Sequence, residues 1–225
     1  MNLSRTIPTS LRVGGVDEAG RGSILGPMVV AGVSAEQSAI EELRQIGVKD
    51  SKALSPERRR VLYREIVRRA LRVHWVAVRP SEIDEYVARG TKYRRLNYLE
   101  AIHMATVIRR LEADHVFVDA PDTNPVRFAL ELSAMLDPCP RIVAEHRADS
   151  NYVVVGAASI VAKVQRDKAL ERLRRRNGDI GSGYPSDEKT IAFLREFVSV
   201  TGGQPHFARR SWKTWRRILA SRLDP

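Results

Sequence analysis

Between Gly15 and Pro27 the chain reads GVDEAGRGSILGP, two adjacent acids set between glycines inside an otherwise apolar stretch. Leu11, Val13 and Val16 lead in, and Met28, Val29, Val30, Ala31 and Val33 lead out, so Asp17 and Glu18 fall where two strands would meet. Carboxylates at such a junction must be paired, protonated or bound to a cation, because burying them bare is strongly unfavourable. Two readings are open at this point: a metal site, or a pair of acids capping a surface turn. Neighbours on a regular strand point to opposite faces, so the two acids can share a site only if a bulge or a glycine turn twists the backbone. Gly20 and Gly22 make that feasible.

The 225 residues, 43% of them hydrophobic, can bury a substantial core in one large domain or a domain with an appendage. A formal net charge of +11 favours a polyanionic partner, since clustered Lys and Arg displace counterions from phosphates. The single cysteine, Cys139, has no partner for an intramolecular disulfide, which fits a reducing compartment. No apolar run suggests a signal peptide or a membrane span, so the expectation is a soluble cytoplasmic protein.

Along the chain, Ser34 to Gly47 reads as a short helix and turn, and Asp50, Ser51 and Lys52 lie in the loop that follows. Ser55 as N-cap and Pro56 at the first helical position start a helix to about Ala70, whose arginines from Arg58 to Arg69 read as a solvated face or, for some of them, as phosphate contacts. Val73 to Val78 reads as a strand ended by Pro80, followed by a short helix from Ser81 to Val87 and a longer one from about Arg94 to Leu111. Val116, Phe117 and Val118 form a buried-type run ending in Asp119, an acid at the carboxyl end of a strand, where sheets flanked by helices mount their chemistry. Alternatively, Asp119 caps the helix beginning near Asn124. After a helix from Val126 to Leu136 and a strand from Arg141 to Ala144, Asp149 stands just before a helix running to about Arg176, as a ligand or a plain N-cap. His146 is the only histidine near these acids, in a surface or proton-shuttling role.

Gly156, Ala157, Ala158 and Ser159 let that long helix lie close against the sheet, and Lys163 and Arg166 fall on nearby turns of one side. Three glycines between Asn177 and Gly183 break the chain, dividing it into residues 1–177 and 178–225. Ser186 is the expected N-cap of the next helix, with Asp187 and Glu188 in its first turn. The final PHFARRSWKTWRRILASRL reads as one amphipathic helix, with Trp212, Trp215, Leu219 and Leu223 on one side and Arg209, Arg210, Lys213, Arg216 and Arg217 on the rest. Its tryptophans read as packing anchors or base-stacking platforms, and its basic face as lying beside a nucleic-acid groove or on a membrane surface.

Early strands followed by alternating helices and strands indicate a mixed sheet with helices on it. Asp17, Glu18, Asp119 and Asp149 each sit at a strand end or a strand-to-helix junction, and one sheet could gather them. Hard divalent cations such as Mg²⁺ take oxygen ligands, and phosphodiester cleavage gains from two such ions. No P-loop and no His/Cys zinc spacing is present.

DEAGRG at Asp17 to Gly22, DSK at Asp50 to Lys52, the strand-borne Asp119, ADSNYVVVGAASIVAKVQRD from Ala148, GYPSD from Gly183 and RRSWKT from Arg209 occur together and in order, and by them the chain resembles ribonuclease HII, particularly its archaeal-type members. The resemblance spans nearly the full chain. It implies an α/β fold, a ribonuclease H-like mixed five-stranded sheet flanked by helices, with a small helical C-terminal extension. It further implies Asp17, Glu18, Asp119 and Asp149 as metal-binding carboxylates for Mg²⁺ or Mn²⁺ in two-metal hydrolysis. The implied substrates are RNA/DNA hybrids and duplex DNA with a single embedded ribonucleotide, incised on its 5′ side to leave a 3′-hydroxyl and a 5′-phosphate. By the same resemblance the backbone of Gly20, Arg21 and Gly22 holds the ribonucleotide, and Tyr184 packs against the ribose at the RNA-to-DNA junction. Lys52, Lys163 and Arg166 are candidates for phosphate contacts. Glu188 stands where related sequences often carry proline, and the chain lacks a glutamine-led, double-aromatic clamp-binding ending. The expectation is a monomer with no obligate protein partner and no membrane association.

Overall fold

A computed structural model describes residues 11–48, 54–88 and 95–220. Its strands are β1 (Arg12–Ala19), β2 (Met28–Glu36), β3 (Arg72–Val78), β4 (His115–Asp119) and β5 (Arg141–Glu145). Its helices are α1 (Gln37–Gln45), α2 (Pro56–Arg69), α3 (Pro80–Ala88), α4 (Arg95–Ile108), α5 (Pro125–Ser133), α6 (Ala148–Asn151), α7 (Val153–Asn177), α8 (Glu188–Thr201) and α9 (Lys213–Ala220).

The strands form one mixed sheet in the order β3-β2-β1-β4-β5. The first three are antiparallel neighbours, while β1, β4 and β5 run parallel. Each face of the sheet buries its own core. On one side α7 presents Val154, Val155, Ala157, Ala158, Ile160 and Val161 to Val13, Ala31 and Val33. On the other, Ala101, Met104, Ala105 and Ile108 of α4 and Phe128 of α5 cover Val16, Val30, Val116 and Val118.

Small residues set the distance between α7 and the sheet. A Cβ on Gly15 would lie 2.3 Å from the Val154 carbonyl carbon, and one on Gly156 would lie 2.9 Å from the Val48 oxygen. The close approach expected from the Gly156–Ser159 run therefore has a matching glycine on the strand beneath it.

Local chemistry explains the helix starts. Ser55 accepts from the Arg58 N–H with Pro56 next in line, and Asn124 accepts from the Arg127 N–H with Pro125 in the same place. The start of α8 corrects the sequence reading: Asp187, not Ser186, is its N-cap and accepts from the Lys189 N–H. Asp187 also accepts the Ser182 N–H at 2.5 Å, which ties the preceding loop into the cap.

Two further expectations are corrected. Asp149 precedes the long helix but is not its N-cap; it lies buried within the short α6, and extended backbone at Tyr152, the N-cap of α7, separates the two helices. The terminal segment is not one amphipathic helix. Only Lys213–Ala220 is helical, and residues 205–212 run as an irregular strap across the Gly20–Gly26 loop, with an isolated bridge between Leu25 and Ala208. The fold puts Arg209, expected on the basic side of a terminal helix, at 0% exposure because backbone carbonyls of that loop surround its guanidinium.

The part of the chain after Asn177 shares a core with the part before it. Ile24, Leu25 and Leu170 pack with Ile180, Leu194, Val198, Phe207, Trp215 and Ile218. Trp215 is a buried packing anchor, while Trp212 is partly exposed and packs against this core and that of α3 and α4. No helix among the described residues is long and apolar enough to cross a membrane.

Candidate active site

Asp17 and Glu18 are the sixth and seventh residues of β1, paired opposite Ala31 and Val30 of β2. Pairing continues unbroken to Ala19, so no bulge twists the strand here. The chain turns only at Gly20, whose φ of +83° is left-handed backbone that glycine adopts without strain. The two carboxyl groups nevertheless lie close enough for Glu18 to repel Asp17. Asp17 is further held by Ser159 of α7 and by the Glu18 N–H, which donates to its Oδ1 at 2.7 Å. Glu18 instead lies in the fields of Glu100 on α4 and Arg21.

Asp119 ends β4, and its Oδ1 accepts the Ala148 N–H at 2.9 Å. It therefore holds the start of α6, rather than the helix at Asn124 as the capping alternative had it. Asp149 follows within α6, where Ser150 Oγ lies 3.5 Å from its Oδ1. Parallel β4 thus leads one acid, and the α6 turn another, to the same end of the sheet as Asp17 and Glu18.

Burial pushes Asp17 well above the usual carboxylate range, with repulsion from Glu18 and Asp119 adding to it. Burial likewise raises Glu18, helped by Glu100 and Asp119 and opposed by Arg21. Glu18 Oε2 is buried with no hydrogen-bond partner among the described residues. Crowded acids that repel one another, with an orphaned oxygen among them, are a donor set deficient in positive charge, and oxygen donors suit a hard divalent cation. As the side chains stand, no three acidic, histidine or cysteine groups among the described residues converge tightly enough to hold one ion. The chemistry of the set fits a cation, and closing the ligands around it requires side-chain movement.

Beside the acids opens a cleft of about 380 Å³, lined by Glu18, Ala19, Gly20, Arg21, Gly22, Arg59, Lys163, Arg166, Asp167 and Tyr184. Seven of the residues singled out from the sequence line it: Glu18, Gly20, Arg21, Gly22, Lys163, Arg166 and Tyr184. Asp17, Asp119 and Asp149 are not among its lining residues. Lys52 lies outside the described residues, as do Asp50 and Ser51.

The walls of the cleft are braced from behind. Arg166 sits 4.6 Å from the centre of the Tyr184 ring and donates to the Ser182 carbonyl at 3.0 Å. Gly20 makes room for it, since a Cβ there would fall 2.4 Å from Arg166 Nε. The Gly183 carbonyl accepts from the N–H groups of Ile24 and Leu25, so the Tyr184 turn is bonded to the glycine loop. Arg21 turns its side chain away to Glu100, at 2.8 Å, and to Asn97, leaving its backbone in the cleft wall.

Sequence reasoning missed Asp167, Glu100, Asn97 and Asp122, and read Arg59 only as one of the arginines of a solvated or phosphate-touching helix face. Asn97 links Arg21 to Asp122, and Arg59 pairs with Asp167 at 2.9 Å on the rim. Glu100 carried a usable signal. It falls one helical turn after Leu96 and one before Met104, a charge on the buried stripe of α4. His146 is exposed.

A family model for ribonuclease HII matches residues 14–215. A ribonuclease HII of Thermofilum pendens is 48% identical over 211 residues, covering 92% of this chain and 99% of its own length. Among solved structures, the ribonuclease H2 from Pyrococcus horikoshii superposes with a TM-score of 0.88 at 39% identity, over 96% of this chain and 100% of its own. A chain in the PCNA:RNase HII complex from Archaeoglobus fulgidus superposes with a TM-score of 0.82 at 42% identity, over 90% and 96%.

Proposed function

Because this chain belongs to the ribonuclease HII family, endonucleases that cleave RNA in RNA/DNA hybrids, we propose that it also incises duplex DNA on the 5′ side of a single embedded ribonucleotide, leaving a 3′-hydroxyl and a 5′-phosphate. The observation that carries this reading is the cleft itself, which sets Gly20, Arg21, Gly22, Tyr184 and Glu18 around one volume. The proposed ribose reader thus shares a wall with Glu18, the one of the four acids that reaches the cleft.

In this mechanism Asp17, Glu18, Asp119 and Asp149 hold Mg²⁺ or Mn²⁺. When bound, the ions supply the charge that activates a water and stabilises the departing 3′-oxygen. The chain does the rest by positioning. The N–H groups of the Gly20–Gly22 loop hold the ribonucleotide and its phosphate, and the 2′-hydroxyl is the feature that separates ribose from deoxyribose. Tyr184, backed by Arg166, packs against the sugar at the RNA-to-DNA junction. Lys163 and Arg166, together with Lys52, offer positive charge to the phosphates. We take the protein to act as a monomer. We place the protein in the cytoplasm, consistent with its single, exposed Cys139.

The test is cleavage of an end-labelled DNA duplex containing one ribonucleotide, with Mg²⁺, beside an all-DNA control and a hybrid with a long RNA tract. Incision immediately 5′ of the single ribose is expected. Cleavage of the long hybrid alone would remove the junction-reading part of the proposal. Asp17→Asn or Asp119→Asn should lower single-turnover cleavage about a thousandfold or more while duplex binding survives; near-normal cleavage by either variant overturns the metal-ligand assignment.

A further inference from the structure

Arg209 is the largest fully buried side chain among the described residues, and it pairs with no carboxylate. One guanidinium nitrogen donates to the Arg21 carbonyl at 2.6 Å; the other donates to the Gly20 carbonyl at 2.7 Å and the Gly26 carbonyl at 3.3 Å. Trp212 Nε1 adds a bond to the Gly22 carbonyl at 3.3 Å, and the Arg209 guanidinium lies 4.9 Å from the Trp212 ring centre. Three consecutive carbonyls, those of Gly20, Arg21 and Gly22, are thereby drawn to donors on the C-terminal strap.

A trans peptide is planar, with its C=O and the following N–H pointing in opposite directions. Drawing the carbonyls of Gly20 and Arg21 onto Arg209 therefore turns the N–H groups of Arg21 and Gly22 the other way, toward the cleft that these residues line. Neither N–H has a hydrogen-bond acceptor among the described residues. The strap is itself fixed. Arg209 N–H donates to the Ile24 carbonyl, Gly26 N–H donates to that of Phe207, and Asp84 of α3 accepts from the N–H groups of Arg210 and Ser211 and from the Ser211 hydroxyl.

We infer that Arg209 is a positioning residue for ribose recognition: from inside the fold it orients the peptide planes of Gly20–Gly22 so that two backbone donors face the substrate, with Trp212 as its auxiliary. This inference rests on the proposed reading of that loop as the ribonucleotide's seat. Arg209 touches no substrate, so its effect reaches the substrate only through the loop.

The experiment compares binding of a duplex containing one ribonucleotide with binding of the same duplex in DNA alone, in Ca²⁺ to suppress cleavage, for the full chain and for Arg209→Gln, Arg209→Lys and Trp212→Phe. Thermal unfolding of each variant is measured alongside. Arg209→Gln is expected to lower the preference for the ribonucleotide-containing duplex about tenfold, the worth of one hydrogen bond to a charged group, while its affinity for the all-DNA duplex stays within about twofold. Arg209→Lys should restore part of the preference, and Trp212→Phe should lose a smaller part. An effect on folding alone would move Tm without moving the ratio. An unchanged preference in Arg209→Gln overturns the inference; if that variant does not fold, an unchanged preference in Trp212→Phe does so. Absence of any ribose preference in the unaltered chain instead removes the reading of the loop, and this inference with it.

Discussion

Asp122 is 1% exposed and accepts hydrogen bonds from the Arg127 guanidinium, the Asn97 amide and the Asn124 N–H. The Arg127 bond chiefly holds its carboxyl down at about 2, against an ordinary value of 3.8. A carboxylate whose folded-state value is depressed stabilises the fold above its unfolded value and loses that contribution as pH falls through the folded one. Stability should therefore fall from about pH 4 to about pH 2, and Asp122→Asn should flatten that part of a Tm–pH curve while lowering Tm at pH 7. An unchanged acid limb would show that other carboxylates dominate it. At this scale the sequence was legible where a residue type is locally constrained. Gly20 stands where the backbone goes left-handed, and Ser55 and Asn124 stand at helix starts. Arg209 was illegible, because the basic density of FARRSWKTWRR reads as a basic surface and only carbonyls nearly two hundred residues earlier reveal it as buried. Asp187 was placed one position off because Ser186 is an equally good capping type.

At the scale of elements, α7 depends on how closely it can lie on β1. Gly15→Ala puts a methyl group within 2.3 Å of the α7 backbone, which has no flexible end to move aside. The expected cost is about 1–3 kcal/mol in urea unfolding, and cleavage should fall with it, because α7 carries Ser159, Lys163 and Arg166. Gly22→Ala meets nothing within 4 Å and should leave stability nearly unchanged. Equal losses from the two substitutions would contradict the packing argument. The small-residue run of α7 disclosed this close approach in advance. The break at Tyr152 was hidden, since neither proline nor glycine marks it and the extended backbone there is set by tertiary packing against Phe117, whose ring stacks on Tyr152 at 3.9 Å. The shortening of the last helix to Lys213–Ala220 has the same origin. Hydrogen bonds to Asp84 and with the glycine loop engage the backbone ahead of it, and local helix periodicity cannot register such distant partners.

Over the whole molecule, a net charge of +11 coexists with a knot of acids at one end of the sheet. General affinity for duplex should come from the basic surface and fall steeply with salt, each neutralised phosphate contributing about 0.9 to the log–log slope. Ribose preference should not follow it, because peptide N–H groups displace no counterions. Titrations at two ionic strengths should therefore show both affinities falling and their ratio constant; a ratio that collapses with salt would place discrimination in the charged side chains instead. The mixed sheet and its acids at strand ends were readable from patterning alone, whereas the wrapping of the C-terminal strap around the glycine loop was not. That wrapping also sets an order in time. The loop is synthesised early and the side chain that shapes it 188 residues later, and joining segments so far apart is among the slower events in folding. On the proposed reading of the loop, a growing chain therefore possesses the acids of β1 well before the donors that would tell one sugar from another are set in place.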